Sequence, residues 1–405
     1  MRAPRSLRSD ETLQQKESLM RKEFLIFGSP KIEQEEIDEV VDSLKSGWLS
    51  TGPKVAKFEA LFKDYIGSKH ALALNSCTAG LHLSMIVSGL KPGDEVITTP
   101  MTFGATGNSI IHTGARPVFA DINLPTMNID PDKIEEIITP KTRAILPVHF
   151  AGRPCQIEKI KAIAKKHNLL LIEDAAHSIE STYHGQKIGT IGDLTVFSFY
   201  VTKNLVTGEG GMITTDNDDY AEKIQTYALH GMSKGAWKRY SDEGFKHYRI
   251  VYPGFKYNMM DIQAALGIHQ LKRIEKYLKR REEIWQHYDD AFKHLPLDTP
   301  PPAEENARHA RHLYTILLKL EELKVDRDTI QQALYEENIG TGIHFISLHL
   351  HPYYQDTFGY KRDDFPNAAF VSERTISLPL SARLSDEDVS DVIQAVTKVL
   401  KKYQK

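Results

Sequence analysis

Cysteine is scarce in this chain: Cys77 and Cys155 are the only two in 405 residues. Two thiols cannot build a disulfide framework and their spacing fits no metal site, so a reducing compartment and a metal-free site are expected. Long apolar runs are missing too; none approaches the roughly 18 residues of a membrane span. The charged N-terminus (MRAPRSLRSDETLQQKESLMRKEF) lacks the apolar segment of a secretory signal. Residues 1–23 are therefore expected to form a mobile or partner-covering extension, and the cytoplasm is the expected location. Nor is there a basic excess. Lys and Arg number 51 against 54 Asp and Glu, a formal net charge of −3, which leaves no footprint for nucleic acid. A phosphate-bearing ligand stays open, because backbone N–H groups can hold phosphate without net positive charge.

What the chain does contain is alternation of strand and helix in an ordinary globular composition. Residues 32–45 and 54–66 space their apolar positions as helices. HALALNS reads as a short strand ending in a small-residue turn, with LHLSMIVSGL as the helix behind it. DEVITTP, RPVFADI, TRAILPVHF and NLLLIEDAA read as further short, buried strands. The pattern predicts an α/β fold whose mainly parallel central sheet has helices on both faces. Ligands bind such sheets at the carboxyl ends of the strands. After DIQAALGIHQL come a long charged helix, a Pro-rich break (LDTPPPAEEN), the strand-like HLYTILLKL and a helix near 326–337. These predict a smaller C-terminal α+β domain over 268–405, beside a large domain over 24–267.

The strongest local signal is TVFSFYVTKNLVTGEGGMITT. A single lysine is by default a solvated charge, but Lys203 leaves a buried aromatic strand beside Ser198. The glycines at 208, 210 and 211 let backbone approach closely. A lysine in a partly desolvated site has a lowered pKa, so its free amine can attack a carbonyl. NLLLIEDAAHS then supplies a carboxylate at the end of an apolar strand. Pyridoxal phosphate is an electron sink only while its ring nitrogen is protonated, and a buried Asp opposite that nitrogen keeps it so. Alternation puts Glu173 and Asp174 on opposite faces, and Asp174 is the expected partner. His177 could lie under the ring, hold the Asp, or be structural. In NSCTAGLHL, Ser76, Cys77, Thr78, Ala79 and Gly80 open a helix whose N-terminus suits a phosphate.

At these residues the chain resembles the DegT/DnrJ/EryC1/StrS family of sugar aminotransferases, which are fold-type I pyridoxal-phosphate enzymes. SGWLSTGP, NSCTAGLHL, GDEVITTPMTF, PVHFAG, IEDAAHS, GDLTVFSFYVTKNLVTGEGG, PGFKYNMMDIQAALG and NIGTGIHFISLHLHPYY carry the resemblance. PGFKYNMMDIQAALG and IGTGIHF are most similar to members that aminate a UDP-4-keto sugar. The resemblance implies that Lys203 forms the Schiff base with pyridoxal 5′-phosphate and shuttles a proton, while Asp174 pairs with the pyridinium nitrogen. It implies that Cys77, Thr78, the Ala79 N–H and Ser198 hold the phosphate and that Phe103 stacks on the ring. Tyr200 and His344 would line the sugar site. Asn258 would reach the cofactor of a neighbouring subunit, which makes the active unit a homodimer.

Two positions depart from similar members, which often carry Trp at Phe103 and His at Tyr200; the identity of the sugar turns on both. The Lys-, Arg- and aromatic-rich stretch 233–252 is read first as solvated charge, with Lys246 or Arg249 as the candidates to meet a nucleotide diphosphate. The implied reaction moves an amino group from an amino acid, with L-glutamate expected. It passes through pyridoxamine 5′-phosphate to C4 of a UDP-4-keto sugar, for lipid A or cell-surface polysaccharide. Alternatives are C3 amination, amination of a non-sugar ring, and a non-catalytic regulatory protein. Dehydratase relatives carry His at the Schiff-base position, where this chain has Lys.

Overall fold

Seven short strands, several of them apolar on both faces, form the centre of the molecule. They are β1 (His70–Leu74), β2 (Glu95–Thr98), β3 (Arg116–Phe119), β4 (Thr142–Leu146), β5 (Leu170–Asp174), β6 (Leu194–Ser198) and β7 (Gly211–Thr215). The structure is a computed structural model that describes residues 21–232 and 248–405. The strands lie in the order β1-β7-β6-β5-β4-β2-β3. β7 runs antiparallel to both of its neighbours, and the other pairs are parallel. β6 and β7 are buried at every position, as strands covered on both faces must be. The mainly parallel sheet with helices on both faces is the architecture expected from the alternation.

The longer helices that accompany this sheet are α1 (Gln34–Ser46), α2 (Pro53–Ile66), α3 (Cys77–Val87), α4 (Gly104–Ile111), α5 (Ile157–Lys166), α6 (Asp218–Ala228) and α7 (Asp261–Phe292). α2 shows why they form where they do. Pro53 opens it with a preset φ, and Gly67 closes it in the left-handed region at φ 86°. Between these signals Val55, Phe58, Phe62 and Ile66 fall on one face and are buried. That face, with α5 and the start of α7, packs on Ile145, Leu171 and Phe197. The opposite side of the sheet, with Leu146, Ile172 and Val196, packs on α3 and α6. Alternation along each strand divides the two cores.

α7 runs unbroken for 32 residues. Its Ala264, Ile268, Leu271 and Ile274 belong to the sheet core. Ile284, Trp285, Tyr288 and Phe292 belong to a second core. That core is built on a small antiparallel sheet of β8 (Leu297–Asp298), β9 (Tyr314–Leu318) and β10 (Thr375–Leu378). Helices α8 (Arg327–Glu336), α9 (Pro352–Phe358), α10 (Pro366–Arg374) and α11 (Asp386–Tyr403) complete the region. The division expected between residues 267 and 268 thus lies within one helix. Leu25, near the other end of the chain, packs into the second core. Most of the expected N-terminal extension lies outside the described residues, but its Arg21 pairs with Asp388 and Asp391 of α11.

Candidate active site

The carboxyl ends of β1, β5 and β6 open on a cleft of about 500 Å³. β1 passes straight into α3, and Ser76 caps that helix by accepting the Ala79 N–H at 3.1 Å. The first-turn amides of Cys77 and Thr78 have no partner inside the helix, and both residues line the cleft. β7 runs tightly behind this turn. A Cβ on Gly211 would sit 2.5 Å from the Ser76 carbonyl carbon, so only glycine admits the approach.

Asp174 ends β5 with 5% of its surface exposed. Its Oδ2 accepts the Thr106 hydroxyl at 2.8 Å, and its Oδ1 accepts the Ala176 N–H at 3.1 Å. Because the Thr106 hydrogen is committed there, Thr102 donates to Thr106 at 2.7 Å. Burial raises the carboxyl pKa against the pull of these donors and of Lys203. Glu173 faces the other way and is fully buried. It accepts from the Gly192 N–H and the Thr195 hydroxyl and meets His149 Nε2 at 2.9 Å. The choice between the two carboxylates follows from strand alternation, and only Asp174 reaches the cleft.

Lys203 sits in the turn after β6, its N–H donated to the Tyr200 carbonyl at 2.8 Å. Burial lowers its amine from the ordinary 10.5 to about 8, with Cys77 and Asp174 opposing the shift. Gly208, at φ 80°, lets the chain turn back towards β7. Ser198, Phe103, Tyr200, His177 and His344 line the same cleft. Phe103 and Tyr200 are 67% and 45% exposed, so neither is a core aromatic. His177 Nδ1 accepts the Ala151 N–H at 3.2 Å. Its ring is held neutral by burial and by the nearby Lys203, His312 and His344. His344 meets Ser377 Oγ at 2.9 Å and is pushed down to about 3 by burial and Lys203.

Two expected residues stand apart from the cleft lining. Ala79 gives its amide to Ser76, because the capping hydroxyl reaches the third helical N–H before any ligand does. Asn258 donates to Thr51 Oγ1 at 2.7 Å. Lys246 lies outside the described residues, and Arg249 is exposed. Thr102, Thr106, Thr202, Glu209 and Phe345 line the cleft unanticipated. TPMTFGAT did hold a signal, since hydroxyls four residues apart at a helix start share one face.

These residues suit pyridoxal 5′-phosphate, whose phosphate calls for N–H donors, whose ring nitrogen calls for a carboxylate, and whose aldehyde calls for an amine. Such a cleft, at the strand ends of a mainly parallel α/β sheet, is that of a pyridoxal-phosphate-dependent transferase. The sequence profile of the DegT/DnrJ/EryC1/StrS aminotransferase family matches residues 30–397, and the chain belongs to that family. It is 54% identical over 382 residues to the uncharacterized protein MJ1066 of Methanocaldococcus jannaschii, covering 94% of this chain and 99% of the relative. It is 53% identical to the spore coat polysaccharide biosynthesis protein SpsC of Bacillus subtilis, covering 94% and 98%. Among solved structures, Spr1654 of Streptococcus pneumoniae in its PLP form is 36% identical, with a TM-score of 0.86 over 94% of this chain and 99% of that one. Helicobacter pylori PseC, an aminotransferase of pseudoaminic acid biosynthesis, is 30% identical, with a TM-score of 0.87 over 94% and 100%. Spr1654 is also known in its PMP form. The chain is accordingly an aminotransferase that uses pyridoxal 5′-phosphate and its pyridoxamine form.

Proposed function

We propose that this aminotransferase moves an amino group from L-glutamate to a nucleotide-linked keto sugar, at C4 of a UDP-4-keto sugar, for a cell-surface polysaccharide or lipid A. The observation that carries the reading is a lysine of lowered proton affinity sharing one open cleft with a buried, doubly hydrogen-bonded aspartate. The printed roles of SpsC in spore coat polysaccharide and of PseC in a sugar pathway support the substrate class. We further propose a cytoplasmic homodimer with Asn258 reaching the cofactor of the neighbouring subunit. Ile37, Val41 and Leu44 support it, since these exposed apolar residues share one face of α1, with the exposed Trp48 just beyond its end.

When bound, the cofactor withdraws electron density from the substrate carbon, which no side chain of the cleft can do. The first-turn amides of Cys77 and Thr78 and the Ser198 hydroxyl hold the phosphate, Phe103 covers a ring face, and Asp174 keeps the ring nitrogen protonated. Lys203 Nζ moves the proton at the substrate carbon; with a pKa of about 8, a sizeable fraction is neutral in mildly alkaline solution. Tyr200 and His344 line the sugar side of the cleft. Remote contacts to the nucleotide would help position the keto carbon.

The test mixes pyridoxamine-form enzyme with UDP- and dTDP-linked 3-keto and 4-keto sugars and follows the absorbance of the lysine-bound cofactor. Return of that band with the UDP-4-keto sugar alone supports the reading. Return only with a 3-keto sugar would move the reaction to C3. No return with any sugar, in enzyme that still consumes glutamate, would favour a non-sugar ring. Lys203→Ala should abolish turnover, and a variant as active as wild type overturns the assignment.

A further inference from the structure

Asn204 follows Lys203 directly, and the chemistry of the cleft makes no use of it. Its side-chain amide is nevertheless fully engaged. Nδ2 donates to Glu180 Oε2 at 2.9 Å and to the Ala310 carbonyl at 3.1 Å, while Oδ1 meets His312 Nδ1 at 2.9 Å. Turning the amide over would set its oxygen against a carboxylate and a carbonyl, so the partners fix its orientation. Glu180 in turn pairs with the Arg281 guanidinium, and both are buried.

An amide oxygen can only accept, so His312 carries its ring hydrogen on Nδ1. Burial, with Lys203, His344, Arg281 and His309 around it, holds that ring neutral and leaves the Nε2 lone pair free of a proton. His177 packs against it with ring centroids 4.4 Å apart. It takes the opposite form: its Nδ1 accepts from Ala151, which leaves its hydrogen on Nε2. His177 lines the cleft with Lys203. A protonated His312 would bring positive charge against both.

We infer that Asn204 is a positioning residue with two tasks. It anchors the chain beyond Lys203 to the Glu180–Arg281 pair, and it fixes His312 as the neutral Nδ1–H ring on which His177 packs. The two tasks separate by substitution. Asn204→Ala removes both, whereas Asn204→Asp still accepts from His312 but sets a second carboxylate against Glu180.

The experiment labels the full-length enzyme with ¹⁵N-histidine and reads the ring tautomers by NMR, with and without cofactor, assigning His312 by its loss in His312→Gln. Wild type should show a neutral Nδ1–H ring. Asn204→Ala should lose that form, and Asn204→Asp should keep it. In both variants the pH midpoint of the lysine–cofactor absorbance should move by about 0.5 unit or more. The glutamate half-reaction should slow about tenfold with KM within about threefold. His312 remaining Nδ1–H in the alanine variant would overturn the inference, as would an unmoved midpoint in both. If the alanine variant does not fold, Asn204→Leu repeats the tautomer measurement. No sugar enters any of these readouts, so failure here and failure of the nucleotide-sugar reading are distinguishable.

Discussion

Lys203 shows how far a single residue is legible. Its strand, the neighbouring Ser198 and the glycines after it are local in sequence, and they predict a desolvated amine. The structure agrees, with a pKa lowered from 10.5 to about 8 by burial. A consequence for stability follows. Between those two values the unfolded chain holds more protons than the folded one, so stability rises with pH across that window. Below about pH 8 the full cost of burying the charged amine remains. One unit is worth about 1.4 kcal/mol, and partial exposure discounts it, so the cofactor-free enzyme should gain roughly 2 kcal/mol on passing from pH 7.5 to 10 relative to Lys203→Met. Urea unfolding of both proteins at the two pH values measures this difference. Equal changes in the two would mean that the amine is solvated. The partners of Thr106 and His312 are not legible in the same way. The spacing of Thr102 and Thr106 puts two hydroxyls on one face, but that Thr106 meets Asp174 and that His312 packs on His177 depends on distant segments that the fold brings together.

Among the elements, β7 does the work of holding the cradle in place. Its Gly211 stands 2.5 Å, measured from an added Cβ, from the backbone carbon of Ser76 and 2.6 Å from the Cys77 nitrogen. Those atoms belong to the turn that offers amides to the phosphate, and backbone cannot step aside as a flexible side chain can. Gly211→Ala should therefore lower affinity for pyridoxal 5′-phosphate at least about tenfold and destabilise the protein by about 1–3 kcal/mol. Gly208→Ala is the contrast. Gly208 has open space around it but a φ of 80°, so alanine there should cost about 1 kcal/mol of strain with cofactor affinity unchanged. Equilibrium dialysis and thermal melts of the two variants check both statements, and equal affinities would remove β7 from the cradle. Strand and helix assignments were readable because their apolar periods differ. Ala79 shows the limit: the small-residue turn was evident, but which hydroxyl would claim which amide depended on backbone geometry at Ser76.

For the whole molecule, α7 matters most, because it belongs to two cores at once. A composition change near residue 268 suggests a domain boundary, yet helical periodicity continues through it, and a continuous helix transmits position from one core to the other. Arg281, on the half of α7 that joins the second core, pairs with Glu180 in the loop after β5 of the large sheet. Both side chains are buried, at 3% and 0% exposure. Removing one partner strands the other without solvent. Arg281→Met should cost about 3–5 kcal/mol, whereas Arg281→Met with Glu180→Met should recover most of that loss, since the desolvation penalty disappears with both charges. Urea unfolding at pH 7 gives all four corners of the cycle. The cofactor absorbance should separate stability from position: the double variant regains stability but leaves Asn204 without its carboxylate acceptor, so the lysine should remain perturbed. A double variant with wild-type stability and a wild-type absorbance titration would show that the pair only fastens the two cores together. A stable protein with a displaced titration would show that the same contact reaches the reactive amine.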